Sequence, residues 1–326
     1  MPVITMREAL NQALREEMVR DPEVFLMGED IGNFEGSYKV TAGLFREFGE
    51  KRVIDTPIVE EFIVGAGIGA AMLGLRPVVE IMTINFILLA MDQVVNHAAK
   101  IPYMFGGEVR VPLTIRTPGG GGQQLTAQHS QSLEVFLAHV PGLKVVAPAT
   151  PRDAKGMLKA AIRDDNPVLF IENISLYNTR GEVPDGEYLL PLNKAEVKRP
   201  GTDITLVGHS KGTLLALEAA QRLAEGEGIE AEVVDLRCLR PLDRETIIQS
   251  VKKTSRAVLV EEGWPTYGIS AEVSASIMEG AFDYLDAPVK RIGGKEVPMP
   301  YSKPLENAVI PNTDDVISAV RSLLQR

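Results

Sequence analysis

The chain has 326 residues, of which 45% are hydrophobic, a formal net charge of −10 and a mean hydropathy of +0.03. This length favours two domains with sizeable cores. The excess of 44 acidic over 34 basic residues excludes the electrostatic footprint of a protein that binds nucleic acid or an anionic membrane. Cys238 is the only cysteine, so an internal disulfide is excluded, and its position at the exit of a predicted strand indicates a structural role. The first helical pattern follows no targeting segment, so we expect a cytoplasmic protein, or the mature form of an organellar one.

The predicted elements alternate between strands and helices along the first half of the chain. REALNQALREEMVRD has helical periodicity, and VFLMGED after it is typical of a short buried strand that ends in Gly and acids. Apolar runs at RPVVEIM, VPLTIRTP, KVVAPAT and PVLFIEN alternate with helical patterns at FILLAMDQVVNHAAK and RDAKGMLKAAIRD. This order predicts an α/β domain with mainly parallel strands over residues 1–185.

A second α/β domain follows a connecting segment. From about Tyr177 the sequence becomes polar and rich in Gly and Pro, which predicts a linker that we place at residues 186–200. Strand patterns at DITLVGHS, EAEVVDL and RAVLVEEG, with the helical pattern TLLALEAAQRLAEGE, predict a smaller α/β domain over residues 201–326.

Carboxylates in an apolar context mark residues 55–61, DTPIVEE, which run directly into FIVGAGIGAAMLG. Pro57 and the apolar continuation predict the start of a helix with Glu60 or Glu61 in its first turn. A carboxylate beside apolar side chains such as Phe62 and Ile63 is suited to hold or pass a proton near neutral pH, because desolvation disfavours its charged form. An ordinary first-turn acid that suits the helix dipole explains the local pattern equally well.

Three other motifs suggest different chemistry. Residues 208–212, GHSKG, match the nucleophile elbow of a serine hydrolase, but no histidine follows Ser210, so the triad cannot be completed in that order. Residues 65–70, GAGIGA, match GxGxxA without a preceding buried strand, so we interpret Gly65, Gly69 and Ala70 as a thin helix face for close packing of another helix or a cofactor. The glycine-rich run 119–122 lacks a phosphate-binding sequel, and His129 beyond it is either a proton-transfer group or a surface residue.

Taken together, several blocks in the same order resemble one family. They are DTPIVEE, GAGIGAAMLGLRP, EIMTINFILLAMDQVVNHAAK, AQHSQ, PGLKVVAP, AKGMLKAAIRDDNPV and VPMPYS. The chain resembles the beta subunits of the first, decarboxylating component of 2-oxo acid dehydrogenase complexes, above all those of pyruvate dehydrogenase. The resemblance implies a transketolase-like fold, with a thiamine diphosphate pyrimidine-binding domain followed by a C-terminal domain. It also implies that the cofactor lies between subunits, with diphosphate and magnesium held by an alpha chain. The sequence contains no GDG, with which the diphosphate-binding signature begins.

The resemblance also implies roles for individual residues. Glu60 matches the acid that contacts the pyrimidine ring nitrogen, and Phe86 and Ile58 match positions that line the ring's pocket. His129 matches the histidine that assists transfer of the acyl group to lipoyl-lysine. A potassium site is implied by oxygen ligands of five residues: Leu113, Ala161, Ile162, Asp164 and Asn166. A helix-ending turn before a proline explains the last two equally well.

The partners implied by the resemblance are an alpha subunit, in an assembly of two alpha and two beta chains, and a lipoyl-bearing dihydrolipoamide acyltransferase core. The implied substrate is pyruvate, which would be oxidatively decarboxylated. A branched-chain 2-oxo acid or acetoin dehydrogenase beta subunit is the alternative within the family. A non-catalytic interaction subunit is the alternative from another class.

Overall fold

The computed structural model describes residues 1–324 and contains two α/β units, as predicted. The first unit comprises residues 1–119 and 136–192, and the second comprises residues 120–135 together with the chain from 193 onwards. The division after Leu192 falls inside the predicted linker. Residues 120–135 lie within the predicted first domain in sequence but belong to the second unit.

The first unit contains short strands separated by helices. Its strands are β1 Val3–Thr5, β2 Val24–Gly28, β3 Val53–Asp55, β4 Arg76–Glu80, β5 Thr114–Gly119, β6 Lys144–Val146, β7 Val168–Asn173 and β8 Arg180–Glu182. Its helices are α1 Met6–Arg20, α2 Leu44–Phe48, α3 Glu60–Met72, α4 Ile101–Met104, α5 Glu134–Ala138, whose first two residues belong to the second unit, and α6 Pro151–Arg163.

The main sheet of this unit runs in the order β6, β7, β5, β4, β2, β3, and every neighbouring pair is parallel. Its central strands are buried along their whole length, which is why their sequences are continuous apolar runs rather than alternating ones. Thr5 and Thr150 cap α1 and α6, which pack against each other. Because all neighbouring strands of the main sheet are parallel, their carboxyl ends lie at one edge, where ligands bind in such sheets.

The predicted helix at FILLAMDQVVNHAAK is irregular in the structure. Residues Ile84–Ala90 form a 3₁₀ helix, and residues Gln93–Ala98 form a π-helical turn. Hydrophobic periodicity alone does not distinguish these forms from an α-helix. Such departures from the α-helix often occur at functional sites.

The second unit also alternates strands with helices. Its strands are β9 Glu196–Arg199, β10 Ile204–Gly208, β11 Ala231–Asp235, β12 Cys238–Arg240, β13 Ala257–Val260 and β14 Lys290–Ile292. Its helices are α7 Lys211–Glu227, α8 Arg244–Thr254, α9 Ile269–Ala281, α10 Lys303–Val309 and α11 Thr313–Leu324. Besides Ile84–Ala90, short 3₁₀ segments occur at Ile174–Leu176 in the first unit and at Phe282–Tyr284 in the second.

The sheet of the second unit has the order β14, β13, β10, β11, β9, and only the edge strand β9 is antiparallel. Its core includes Leu206, Val233 and Val258 of the sheet, Leu223 of α7 and Val320 of α11. The chain leaves β10 towards β11 and returns from β11 to β13 on the other side. The carboxyl ends of β10 and β13 thus form the point at which the strand order reverses. No helix within residues 1–324 has the length and apolar character needed to cross a membrane.

Candidate active site

Glu60 begins helix α3 of the first unit, at the carboxyl edge of the main sheet. Its side chain is buried, with 7% exposure, whereas Glu61 is exposed. Within residues 1–324 no hydrogen bond or ion pair engages the Glu60 carboxylate. A largely buried acid without a partner in the chain is uncommon, and it is a candidate group for binding a ligand.

The apolar surroundings predicted for Glu60 are only partly present. Ile63 is buried, but Ile58 is 67% and Phe62 52% exposed, so only part of the apolar surface predicted beside the carboxylate is buried in this chain. The helix begins only at Glu60, so Ile58 precedes it, and Phe62 lies on a face that turns away from the sheet. The result is an apolar exposed surface beside a buried acid.

Glu29 is an acid of this site that the sequence analysis did not single out. It follows β2 directly, and burial raises the pKa of its carboxyl, with the charges of Asp30 and Glu60 adding to the effect. Two acids from different elements thus interact at this edge. The signal was present in VFLMGED, where acids follow a buried strand.

Phe86 lies in the 3₁₀ segment that follows β4, and this segment packs against α3. The Phe86 side chain is half-buried. Its neighbour Asn85 is buried and donates to Thr83 Oγ1 at 2.6 Å, while within the described chain its Oδ1 accepts no hydrogen bond. Glu60 and Phe86 therefore belong to packed neighbours in the first unit, as the predicted pocket requires.

A buried ionic cluster ties the ends of three adjacent strands together. Arg116 on β5 binds Glu172 on β7 through two bonds of 2.7 and 2.8 Å and Glu80 on β4 through one of 2.6 Å. Tyr177 donates its hydroxyl to Glu172 at 2.6 Å. Burial raises the pKa of the Glu80 carboxyl, which the Arg116 guanidinium opposes and Glu172 reinforces. The cluster holds the ends of these three strands together, and no local sequence motif predicted it.

His129 belongs to the second unit, in residues 120–135, which we call the histidine loop. The residue is exposed, and its backbone N–H donates to the Thr126 carbonyl at 3.3 Å. Glu60, Ile58 and Phe86 therefore lie in one unit, and His129 lies in the other. Carboxylates of the second unit hold the loop, which explains why it departs from the predicted first domain.

The GHSKG motif forms a tight turn between β10 and α7. Ser210 has a φ of 49° and stands at the N-cap of α7, but its side chain makes no capping hydrogen bond. His209 is buried and lies 3.0 Å from Glu134. Burial would lower the pKa of His209, but the hydrogen bond to Glu134 and the charges of Glu134, Glu261 and Asp235 raise it. The imidazole is thus committed to this buried pair.

The five residues of the predicted potassium site cluster around the C-terminus of α6. Ala161 O and Ile162 O lie in its last turn, and Ala161 O accepts from the Asp164 N–H. Leu113 is buried in the approach to β5, and its carbonyl accepts from Val168. Asp164 Oδ1 accepts from the backbone and the side chain of Asn166, both at 2.9 Å.

Two protein cations already reach these oxygens. Arg76 Nη1 donates to the carbonyls of Ile162 and Asp164, both at 3.1 Å, and Lys144 binds the Asp164 carboxylate.

Cys238 lies elsewhere, in the second unit, where burial raises the pKa of its thiol to about 12, as expected of a structural residue.

Solved structures with the same fold are transketolases. A split gene transketolase, an inactive beta4 tetramer, superposes with a TM-score of 0.80 at 24% identity and covers 99% of this chain and 98% of its own. Transketolase from Leishmania mexicana superposes with a TM-score of 0.73 at 18% identity, covering 100% of this chain and 46% of its own. At these identities the likeness establishes the fold.

Comparisons of the sequence identify the family. Residues 3–180 match the transketolase pyrimidine-binding domain, and residues 193–316 match the transketolase C-terminal domain. The pyruvate dehydrogenase E1 component subunit beta of Rhizobium meliloti is 50% identical over 99% of this chain and 70% of its own length. The mitochondrial subunit beta of Dictyostelium discoideum is 50% identical, over 99% of this chain and 92% of its own length. The subunit beta of Rickettsia felis is 49% identical, over 98% of both chains. The chain therefore belongs to the family of pyruvate dehydrogenase E1 component beta subunits.

Proposed function

We propose that this chain is the beta subunit of a thiamine diphosphate-dependent pyruvate dehydrogenase that transfers acetyl groups. The reaction is the oxidative decarboxylation of pyruvate with transfer of the acetyl group to the lipoyl-lysine of an acyltransferase component. Support comes from relatives with that name at about half identity over almost the whole chain. No observation favours a branched-chain or acetoin enzyme, or a non-catalytic subunit.

The observation that carries the proposal is the carboxylate of Glu60, which is buried at a helix N-terminus and has no partner within residues 1–324. Such a group fits the protonated nitrogen of an aminopyrimidine ring, because that ring offers the hydrogen-bond partner that the chain itself does not. Phe86 and Ile58 would contact the ring. Thiamine diphosphate, when bound, supplies the carbanion chemistry, and Glu60 holds the proton at the ring nitrogen.

The rest of the cofactor is assigned to a partner. The absence of GDG supports an alpha subunit that holds the diphosphate and magnesium. The exposed apolar side chains of Ile58, Val59 and Phe62 beside Glu60 support a partner surface there, because removing them from water is favourable. We assign two alpha and two beta chains to the assembly, a lipoyl-bearing dihydrolipoamide acyltransferase core to its partners, and the cytoplasm as its location.

His129 is assigned to the transfer half of the reaction. Its side chain is exposed on the histidine loop, and an imidazole can accept and donate a proton near neutral pH. In this role it moves a proton at the lipoyl sulfur or the acyl oxygen during transfer. Glu60 and His129 thus serve different steps.

A potassium ion is assigned to the oxygens at the C-terminus of α6. Oxygens at the negative end of the helix dipole suit a hard monovalent cation. The donors are oxygens of Leu113, Ala161, Ile162, Asp164 and Asn166. Arg76 and Lys144 already place positive charge there, so the ion would share oxygens with protein cations.

The test compares Glu60→Gln with Glu61→Gln in the complex co-purified with this chain. We expect Glu60→Gln to assemble normally and to lose roughly 10²- to 10⁴-fold in pyruvate-dependent reduction of an artificial electron acceptor, because the amide cannot hold the ring proton as the acid does. Glu61 is the adjacent but exposed acid, so its amide variant should retain activity. Unchanged turnover of Glu60→Gln would overturn the assigned role.

A further inference from the structure

The histidine loop adopts a backbone that its own sequence does not favour. Gly120 and Gly122 have φ values of 85° and 100°, but Gln124 and Thr126, which carry side chains, also have positive φ values of 57° and 61°. Residues other than glycine rarely occupy this region unless their surroundings determine it. Contacts from outside the loop must therefore hold this conformation.

Glu306 supplies the main contact, from helix α10 of the second unit. Its side chain is completely buried, and Oε1 accepts the backbone N–H groups of Gly122 and Gln124, each at 2.9 Å. Lys303 lies 3.0 Å from Oε2 of Glu306 and also donates to the Gly122 carbonyl at 2.8 Å. The Glu306–Lys303 ion pair thus accepts from two backbone N–H groups and donates to one carbonyl of the same turn.

Two further contacts hold the loop at its ends. Near its start, Glu262 accepts the N–H of Gly121 at 2.6 Å. Near its end, Glu134 lies 3.0 Å from the buried His209 imidazole. Both partners belong to the second unit, at the carboxyl ends of β13 and β10. The loop that carries His129 is therefore fixed on both sides of the histidine.

The charge state of Glu306 suits this role. Burial would raise the pKa of its carboxyl, but Lys303 and the N–H groups of Gln124 and Gly122 lower it. The group is accordingly ionised at neutral pH and accepts hydrogen bonds as a carboxylate, which are stronger than those of a neutral oxygen. A cluster of this kind, fully satisfied, specifies one backbone arrangement.

We propose that Glu306, paired with Lys303, is a positioning residue for acyl transfer, which fixes the histidine loop so that His129 meets the lipoyl group in a productive geometry. The inference rests on the proposed role of His129 in that transfer. It gives the second unit a part in the reaction. In this role Glu306 acts through the loop backbone, to which its carboxylate is bound.

The experiment uses the complete complex and measures two rates. One is pyruvate-dependent reduction of an artificial acceptor, which reports decarboxylation, and the other is acetylation of an isolated lipoyl domain. Glu306→Ala should lower the ratio of acetylation to decarboxylation by roughly 10- to 100-fold, because small displacements of a catalytic group cost that much. Glu306→Gln should recover most of the ratio, since its amide oxygen can still accept from the loop.

Asp243 provides a matched control within the same unit. It is also a buried carboxylate that accepts two backbone N–H groups, of Ala195 and Thr246, and lies 3.6 Å from Lys194, but it does not contact the histidine loop. Asp243→Ala should leave the ratio unchanged. An unchanged ratio in Glu306→Ala, or an equal fall in Asp243→Ala, would overturn the proposal.

Hydrogen exchange separates this inference from the role of His129. The amides of Gly122 and Gln124 should exchange faster in Glu306→Ala than in Asp243→Ala, whatever His129 does. If His129→Ala acetylates the lipoyl domain normally, the proposed role of His129 is wrong. The proposal that Glu306 positions His129 for acyl transfer is then wrong as well. Equal exchange in the two variants would show that Glu306 does not fix the loop.

Discussion

Glu60 and Glu61 are neighbours with the same side chain, and the fold alone makes them different. The first turn of α3 directs Glu60 inwards and leaves Glu61 exposed. Glu29 interacts with Glu60, and its own burial raises the pKa of its carboxyl, with the charges of Asp30 and Glu60 adding to the effect. An acid with a perturbed pKa at the carboxyl edge of a parallel sheet is characteristic of functional sites.

The His209 and Glu134 pair predicts a pH-dependent stability. Because the pKa of His209 is raised in the folded state, its contribution is complete below its unfolded value of about 6.5 and is lost as pH rises through the folded value. His209→Gln should therefore lower the urea midpoint more at pH 6 than at pH 9. The groups that face the imidazole are Glu134, Glu261 and Asp235.

A double-mutant cycle checks the cause of this effect. In a Glu134→Gln background, the additional change His209→Gln should have a smaller pH dependence, since the largest charge interaction of the imidazole is absent. An equal loss of stability at both pH values in the single variant would contradict the assignment of a charged imidazole.

At the level of residues, the local pattern indicated Glu60 or Glu61, and the family resemblance indicated Glu60, Phe86 and His129, but neither identified the contacts that support them. Glu306 binds Gly122 across 184 positions of sequence, and Arg116 binds Glu172 across 56. Contacts of this range depend on the packed topology, which no local spacing encodes. The roles of Glu60, Ile58, Phe86 and His129, and of the five potassium ligands, stay predictions.

Helix α3 shows how one element serves two surfaces. A Cβ at Gly67 would come within 2.8 Å of Val79 Cγ1 and 3.1 Å of Leu113 Cδ1, so this glycine lets the helix approach the sheet closely. At Gly69, two positions further, nothing lies within 4 Å, and the residue is exposed. Gly67 and Gly69 lie on opposite sides of the helix, so one glycine of GAGIGA packs against the sheet and the other, on the predicted thin face, is open.

These two glycines give a paired prediction for stability. Gly67→Ala should destabilise the protein by about 1–3 kcal/mol, because a strand side chain and a core leucine must move. Gly69→Ala should stabilise the helix by roughly 0.5–1 kcal/mol, since alanine has the higher helix propensity. Denaturant unfolding of the purified variants measures both. A Gly67→Ala variant as stable as the original would contradict the close packing.

Strands and helices differ in how well the sequence predicted them. The buried parallel strands stood out as apolar runs, and the runs VFLMGED and PVLFIEN contain β2 and β7. The irregular segment from Ile84 to Ala98 did not, since an apolar stretch is compatible with several helical forms. Its shape depends on the packing against α3, which is a tertiary effect.

At the scale of the whole molecule, a bound potassium ion would stabilise the folded protein against unfolding. A ligand that binds only the folded protein raises the free energy of unfolding, by about 2.7 kcal/mol at one hundred times its dissociation constant. Replacing sodium by potassium should therefore raise the melting temperature, and Asn166→Ala should abolish the difference. Equal melting temperatures in the two salts would show that Arg76 and Lys144 alone satisfy these oxygens.

The second unit is made of two separate stretches of the chain, and this has a consequence for recombination between related genes. The histidine loop lies between β5 and α5 in sequence, yet the carboxylates that hold it come from residues beyond 193. A chimaera joined at the linker would combine a loop from one parent with Glu262 and Glu306 from the other. The loop and the carboxylates that hold it are thus encoded in two separate stretches of the gene. A recombination event that preserves their contacts has to transfer residues 120–135 together with the second domain.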